Sequence, residues 1–141
     1  HLEIARAARA MGFRTVVGGP NILLGGSHTG NLSAAAAVDD DSVDIICSDY
    51  YPASLLHAVF ILHNDHGLDL PHAFRLVTLN AAVAVGIDHE RGSIEPGKSA
   101  DVLVIHRMGD GFPAVNTVLI SGRVCMHMRY RTHEAQTAPR R

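Results

Sequence analysis

Two short apolar runs constrain the fold most. Thr15 to Val17 is a β-branched stretch and VDIIC (43–47) is a second one, and each is followed by a segment with helical spacing. After the first comes NLSAAAAV (31–38), a short alanine-rich helix. After the second, from Pro52, comes ASLLHAVFILHN, apolar at 55, 56, 59, 60 and 62, with its proline where a first helical turn accepts one. Strand, helix, strand, helix is the order of parallel α/β units, whose strand-to-helix loops leave one edge of the sheet. GGPNILLGGSHTGN (18–31) and SDYYPAS (48–54) therefore meet at the edge where such folds keep their active sites.

Flanking segments extend the pattern. LEIARAARAM (2–11) sets Leu2, Ala5, Ala8 and Met11 near helical spacing and stops at Gly12, a C-terminal cap. DLPHAFRLVTLNAAVAVG (69–86) predicts one further helix, with Asp69 near its cap, Pro71 in the first turn and Gly86 at its end. After residue 90 the order changes. RGSIEPGKSADVLVIH reads as strand, turn, strand, with Pro96 and Gly97 central in a type II turn, and TVLISGRVCM reads as a hairpin turned at Ser121 and Gly122. The expected division is residues 1–90 as α/β, 91–128 as a small β unit and 129–141 as a disordered tail without apolar pattern.

Composition removes several function classes. The chain is 47% hydrophobic and 18% charged with net charge -2, which describes a soluble globular protein. Lys and Arg are scattered and aromatics make up only 5%, so no nucleic-acid partner is expected. No apolar run approaches membrane-span length and no signal peptide opens the chain, so no membrane partner is expected either. Cys47 and Cys125 stand far apart in no metal or redox spacing, which makes a reduced, cytoplasmic setting the default.

The segment 18–31 holds five glycines, two asparagines and one histidine. Gly25, Gly26 and Gly30 would let backbone N–H groups approach an anion, and Ser27, Thr29 and Asn31 could add hydroxyl and amide bonds to a polyphosphate. His28 could bind metal, donate to a phosphate oxygen or protonate a leaving group; the plainer alternative is a histidine that caps a turn. Asp49 follows a buried strand and precedes a helix, so a rigid element holds its carboxylate; the alternative is a capping aspartate. Tyr50 and Tyr51 could flank a ligand, although such a pair more often packs. His57, His63 and His66 lack ligand spacing and read as a solvated face, as do His72 and Arg75.

Taken in order, GGPN, GGSHTGN, SDYYPAS, VTLN and GSIEPGKSADVLV resemble the C-terminal part of the amidohydrolase superfamily, from about residue 2 to 125. The PGKSAD segment marks the superfamily broadly, whereas GGSHTGN with SDYYPAS is similar to its branch of phosphonate-degrading triphosphate diphosphatases. The resemblance implies the last two βα units of a metal-dependent (β/α)8 barrel, with strands of a small β-sandwich beside it. It implies a divalent metal, zinc or manganese, bound by Asp49, which would also take a proton from the attacking water, with His28 as the second catalytic group. It implies a phosphorylated ribose phosphonate as substrate and a missing N-terminal barrel portion as partner, since two parallel strands cannot close a barrel; the oligomeric state, homo-oligomer or monomer, stays open. Two departures stand out: Leu24 occupies a place where the family pattern carries arginine, and Asn80-Ala81 replaces Asn-Pro. Leu24 keeps open an amidohydrolase acting on a cyclic amide or amidine, and the lack in these residues of the family's early H-x-H pair and its later Lys or Glu and His ligands keeps open a non-catalytic remnant.

Overall fold

The computed structural model describes residues 2–25 and 33–130, and the chain divides after Lys98 into two compact units. In the first unit α1 (Leu2–Ala10) ends at Gly12, whose φ of +87° is the left-handed cap that the sequence predicts. Strand β1 (Val16–Gly18) runs parallel to β2 (Ile45–Cys47), with Val16 opposite Ile45 and Gly18 opposite Cys47. Both C-terminal strand ends therefore lie at one edge of the sheet, as the α/β order requires.

Helices follow each strand. After β1 come α2 (Gly19–Leu23) and α3 (Ala34–Asp39), the latter capped by the Ser33 hydroxyl, which accepts from Ala36 N–H. After β2 comes α4 (Ser54–His66), closed by Gly67 at φ +71°, then α5 (Leu70–Val77) and α6 (Leu79–Val85). The core gathers Ile22, Val38, Ile46, Leu62 and Leu76 between these elements, and Phe60 meets Phe74 edge to face at 6.1 Å.

Three local expectations are corrected. Segment 18–31 does not leave β1 as a glycine loop throughout, because Pro20 sets a helical φ and Gly19–Leu23 completes a short helix with Gly19, Pro20 and Ile22 buried. The helix over 69–86 is broken at Thr78 (φ −129°, ψ −89°), whose hydroxyl donates to the Phe74 carbonyl at 2.8 Å. Beyond the break, the Asn80 amide donates to the Asp44 carbonyl at 2.8 Å, a tertiary contact that ties α6 to the entry of β2. The strand expected over residues 91–95, just before the Pro96 turn, does not form. The turn itself is as expected: Lys98 N–H donates to the Glu95 carbonyl at 3.2 Å and Gly97 has φ +92°. Beside it, Ser93 and Lys98 both donate to Glu95, and with the Ser93 bond as the larger cause its carboxyl stays below the ordinary value.

At the sheet edge opposite the loops, charge holds α1 to the entry of β2. Asp44 is 7% exposed and accepts from Thr15 N–H at 2.9 Å and Thr15 Oγ1 at 3.1 Å, with Arg9 at 3.3 Å and Arg14 at 3.6 Å. Burial pushes its carboxyl up, but the Thr15 bonds and the two guanidinium groups outweigh this and hold it below its ordinary value. Asp40 accepts from Arg6 and from Ser42 Oγ, which lower its pKa to about 2.

The second unit is a three-stranded antiparallel sheet of β3 (Val102–Arg107), β4 (Pro113–Ile120) and β5 (Arg123–His127), in that order. Ser121 and Gly122 turn the β4–β5 hairpin with φ +50° and +75°, both left-handed, as a two-residue type I′ turn demands. Ser121 N–H donates to Asp101 Oδ1 at 2.8 Å. Residues 131–141, most of the expected tail, lie outside the described residues.

Candidate active site

Asp49 stands two residues beyond the end of β2, exposed, with φ +51°. A non-glycine residue in the left-handed region costs backbone energy, so the turn throws its carboxylate off the strand end at some expense. It does not cap the following helix: the N-cap of α4 is Ala53, which makes no side-chain capping bond. The capping alternative is thereby removed. Tyr50 and Tyr51 are 79% and 44% exposed, so the expectation that they pack is also overturned.

The end of β1 lies beside this carboxylate. A side chain at Gly18 would place its Cβ 3.9 Å from Asp49 Oδ2 and 3.3 Å from Asn21 Nδ2, so both groups lie over that glycine. Asn21 is exposed on α2. Sequence reasoning quoted it but gave it no role, because the short helix that aims it was hidden among glycines. Gly19 has a different reason to be glycine: its Cβ would come 2.6 Å from Ser54 Oγ. Ser54 is fully buried and its hydroxyl has no hydrogen-bond partner among the described residues. This close approach fixes the start of α2 against the start of α4.

Of the other candidates, Gly25 adopts φ +67° with open space around its Cβ position, and Leu24 is 57% exposed beside it. Gly26, Ser27, His28, Thr29, Gly30 and Asn31 lie outside the described residues. His63 and His66 are bound elsewhere, His63 Nδ1 donating to the Leu68 carbonyl at 2.8 Å and His66 Nδ1 to Asp39 at 2.9 Å. Among the described residues no three His, Cys, Asp or Glu side chains converge to hold a metal ion. Those residues alone do not fit a metal centre; Asp49 offers one carboxylate where such a centre needs several ligands. A cavity of about 500 Å³ opens between α1, β1 and α3, lined by Ile4, Ala8, Val16 and Ala37, with Gly18, Asn21 and Ser33 as a polar border. Asp49 does not line it, although Gly18 and Asn21 do, so the cavity opens beside that carboxylate.

A profile described as the amidohydrolase family matches residues 4–125. The alpha-D-ribose 1-methylphosphonate 5-triphosphate diphosphatase of Escherichia coli (strain K12) is 45% identical over 107 residues, covering 74% of this chain and 28% of that protein. An adenine deaminase of Clostridium botulinum (strain Loch Maree) is 34% identical over 92 residues, 62% of this chain and 15% of that protein. This chain thus spans little more than a quarter of the length of the first relative and less of the second. Among solved structures, an amidohydrolase from Thermotoga maritima MSB8 superposes with a TM-score of 0.70 at 23% identity, over 90% of this chain and 35% of that one. The shared fold is of TIM-barrel type, and its relatives are hydrolases of a group that generally uses divalent metals. On the family match and these likenesses, the chain belongs to the amidohydrolase family.

Proposed function

We propose that these residues form the C-terminal part, the last two βα units and strands of the small β-sandwich, of a metal-dependent hydrolase. It cleaves α-D-ribose 1-methylphosphonate 5-triphosphate to the 5-phosphate and pyrophosphate. The observation that carries this reading is the carboxylate of Asp49, thrown off a parallel strand end to face Asn21 across Gly18, in a chain 45% identical to a diphosphatase of that name. Asp49 accepts the proton of the attacking water and returns it to the leaving oxygen, a role that asks for an exposed carboxylate on a rigid element. This reading assigns His28 as the second catalytic group and Gly25, Gly26, Ser27, Thr29, Gly30 and Asn31 as polyphosphate-binding residues. Zinc or manganese belongs to this reading, with Asp49 as one ligand and the rest supplied from an N-terminal barrel portion beyond these 141 residues.

Pyrophosphate release from the triphosphate by the full-length protein tests this, and ammonia release from adenine in its place would overturn it. The second reading, a hydrolase of a cyclic amide or amidine, is favoured by Leu24, which offers no charge to a phosphate, and by the likeness to adenine deaminases. A non-catalytic remnant is the third, and any turnover that depends on Asp49 removes it. No helix among the described residues is long and apolar enough to cross a membrane; a cytoplasmic site of action belongs to the proposal.

A further inference from the structure

We propose that Asn21 binds the substrate directly, its side-chain amide donating to a phosphoryl oxygen seated over Gly18 beside Asp49; this rests on the diphosphatase reading. Gly18 itself is the first argument. Its backbone, at φ −81° and ψ 130°, is ordinary extended chain that any residue adopts, so glycine is not required there for conformation. What a side chain would do is press on the Asn21 amide, whose Nδ2 lies 3.3 Å from the Cβ position, with Asp49 Oδ2 at 3.9 Å. Glycine here leaves room for the Asn21 amide to lie over the strand end on the same side as Asp49.

The second argument is the way Asn21 is held. Its neighbours Gly19, Pro20 and Ile22 are buried, and Gly19 is locked against Ser54, so α2 is fixed while Asn21 alone turns outward. Among the described residues no hydrogen bond occupies its side chain. An exposed, unpartnered amide on an anchored turn is a pre-organised donor, which loses little freedom when a ligand arrives.

Its chemistry also suits the neighbour. An arginine here would pair with Asp49 and hold its carboxylate as a salt bridge. A neutral amide offers two N–H donors to an anionic oxygen and leaves Asp49 free to take a proton. With Leu24 apolar, Asn21 is the polar side chain that the described part of this segment presents toward a phosphoryl group.

The test uses the full-length protein and inorganic pyrophosphate as the probe, with binding measured by calorimetry at equal bound-metal content. Asn21→Asp replaces a donor with a repelling carboxylate and is expected to weaken binding about tenfold or more, Asn21→Ala by less, both with unchanged melting temperature. Gly18→Ala, which presses on the Asn21 amide, is expected to weaken binding as well. Pyrophosphate affinity within about twofold of wild type in both Asn21 variants would overturn the assignment, as would a wild-type protein that binds no pyrophosphate. Failure of the diphosphatase reading looks different: pyrophosphate binding would fall in Asn21→Asp while the wild-type protein releases none from the triphosphate.

Discussion

Single side chains decide what the loop edge can do. Asp49 makes no helix cap and stands exposed in a left-handed turn, so Asp49→Asn removes a proton acceptor without removing a structural bond. In the full-length protein we expect turnover to fall about 10²- to 10⁴-fold with the melting temperature unchanged; an active Asp49→Asn protein would exclude the general-base role. Ser54 and Gly19 make a contrasting pair. Gly19→Ala would drive its Cβ against Ser54 Oγ at 2.6 Å, overpacking that costs about 1–3 kcal/mol. Ser54→Ala removes a buried hydroxyl that has no partner among the described residues, and so is expected to be neutral or stabilising. The double variant recovers part of the Gly19→Ala loss, since the remaining Ser54 Cβ is 3.2 Å away. Denaturant unfolding of the three proteins reads the coupling, and strict additivity would show that the two residues do not press on each other.

Elements were legible where local chemistry decides them, and illegible where tertiary contacts do. β-Branched runs announced both parallel strands, Gly12 announced the end of α1, and Ser121-Gly122 announced the hairpin, each through a backbone requirement carried by the residues themselves. α2 was hidden because its glycines and proline read as loop. The break at Thr78 was hidden because the periodicity of LNAAVAV continues across it, while its cause is a hydroxyl bonding back to Phe74 and an amide reaching Asp44. Asn21 was missed with α2, and the ion cluster that joins α1 to β2 has no local signature at all. That cluster predicts acid sensitivity. Asp40 and Asp44 both titrate below their ordinary values in the folded chain, so the stability they contribute is present above about pH 4 and is lost as pH falls below it, for Asp40 as pH approaches about 2. Arg6→Ala should change this acid limb only slightly, because Arg6 is 60% exposed and salt screens the pair. Asp44→Asn should cost about 2 kcal/mol at neutral pH, since it replaces a buried charged acceptor of several bonds, and should flatten the dependence below pH 4. Thermal melts of the three proteins from pH 2 to 7 measure both effects; an unchanged acid limb in Asp44→Asn would remove Asp44 as its source.

On the scale of the whole molecule, the α/β unit contains a parallel sheet of only two strands, a number that in a barrel has neighbours on both sides. β1 keeps an edge unpaired among the described residues, with Val16 53% exposed and a cavity of about 500 Å³ alongside. An open apolar strand edge is a template for pairing with another chain. The 141 residues expressed alone should therefore self-associate, unfold with low cooperativity and hydrolyse no triphosphate, because one carboxylate cannot hold a metal against water. Val16→Lys places a charge on that edge and should shift the chain toward monomer in sedimentation velocity at equal concentration, whereas the same substitution at exposed Val124 of β5 tests the other unit's edge. If the isolated wild-type chain is a monomer with a sharp thermal transition, the β1 edge does not need the strand that the barrel reading assigns to it. If Val16→Lys alone restores the monomer, that edge is where the rest of the barrel attaches.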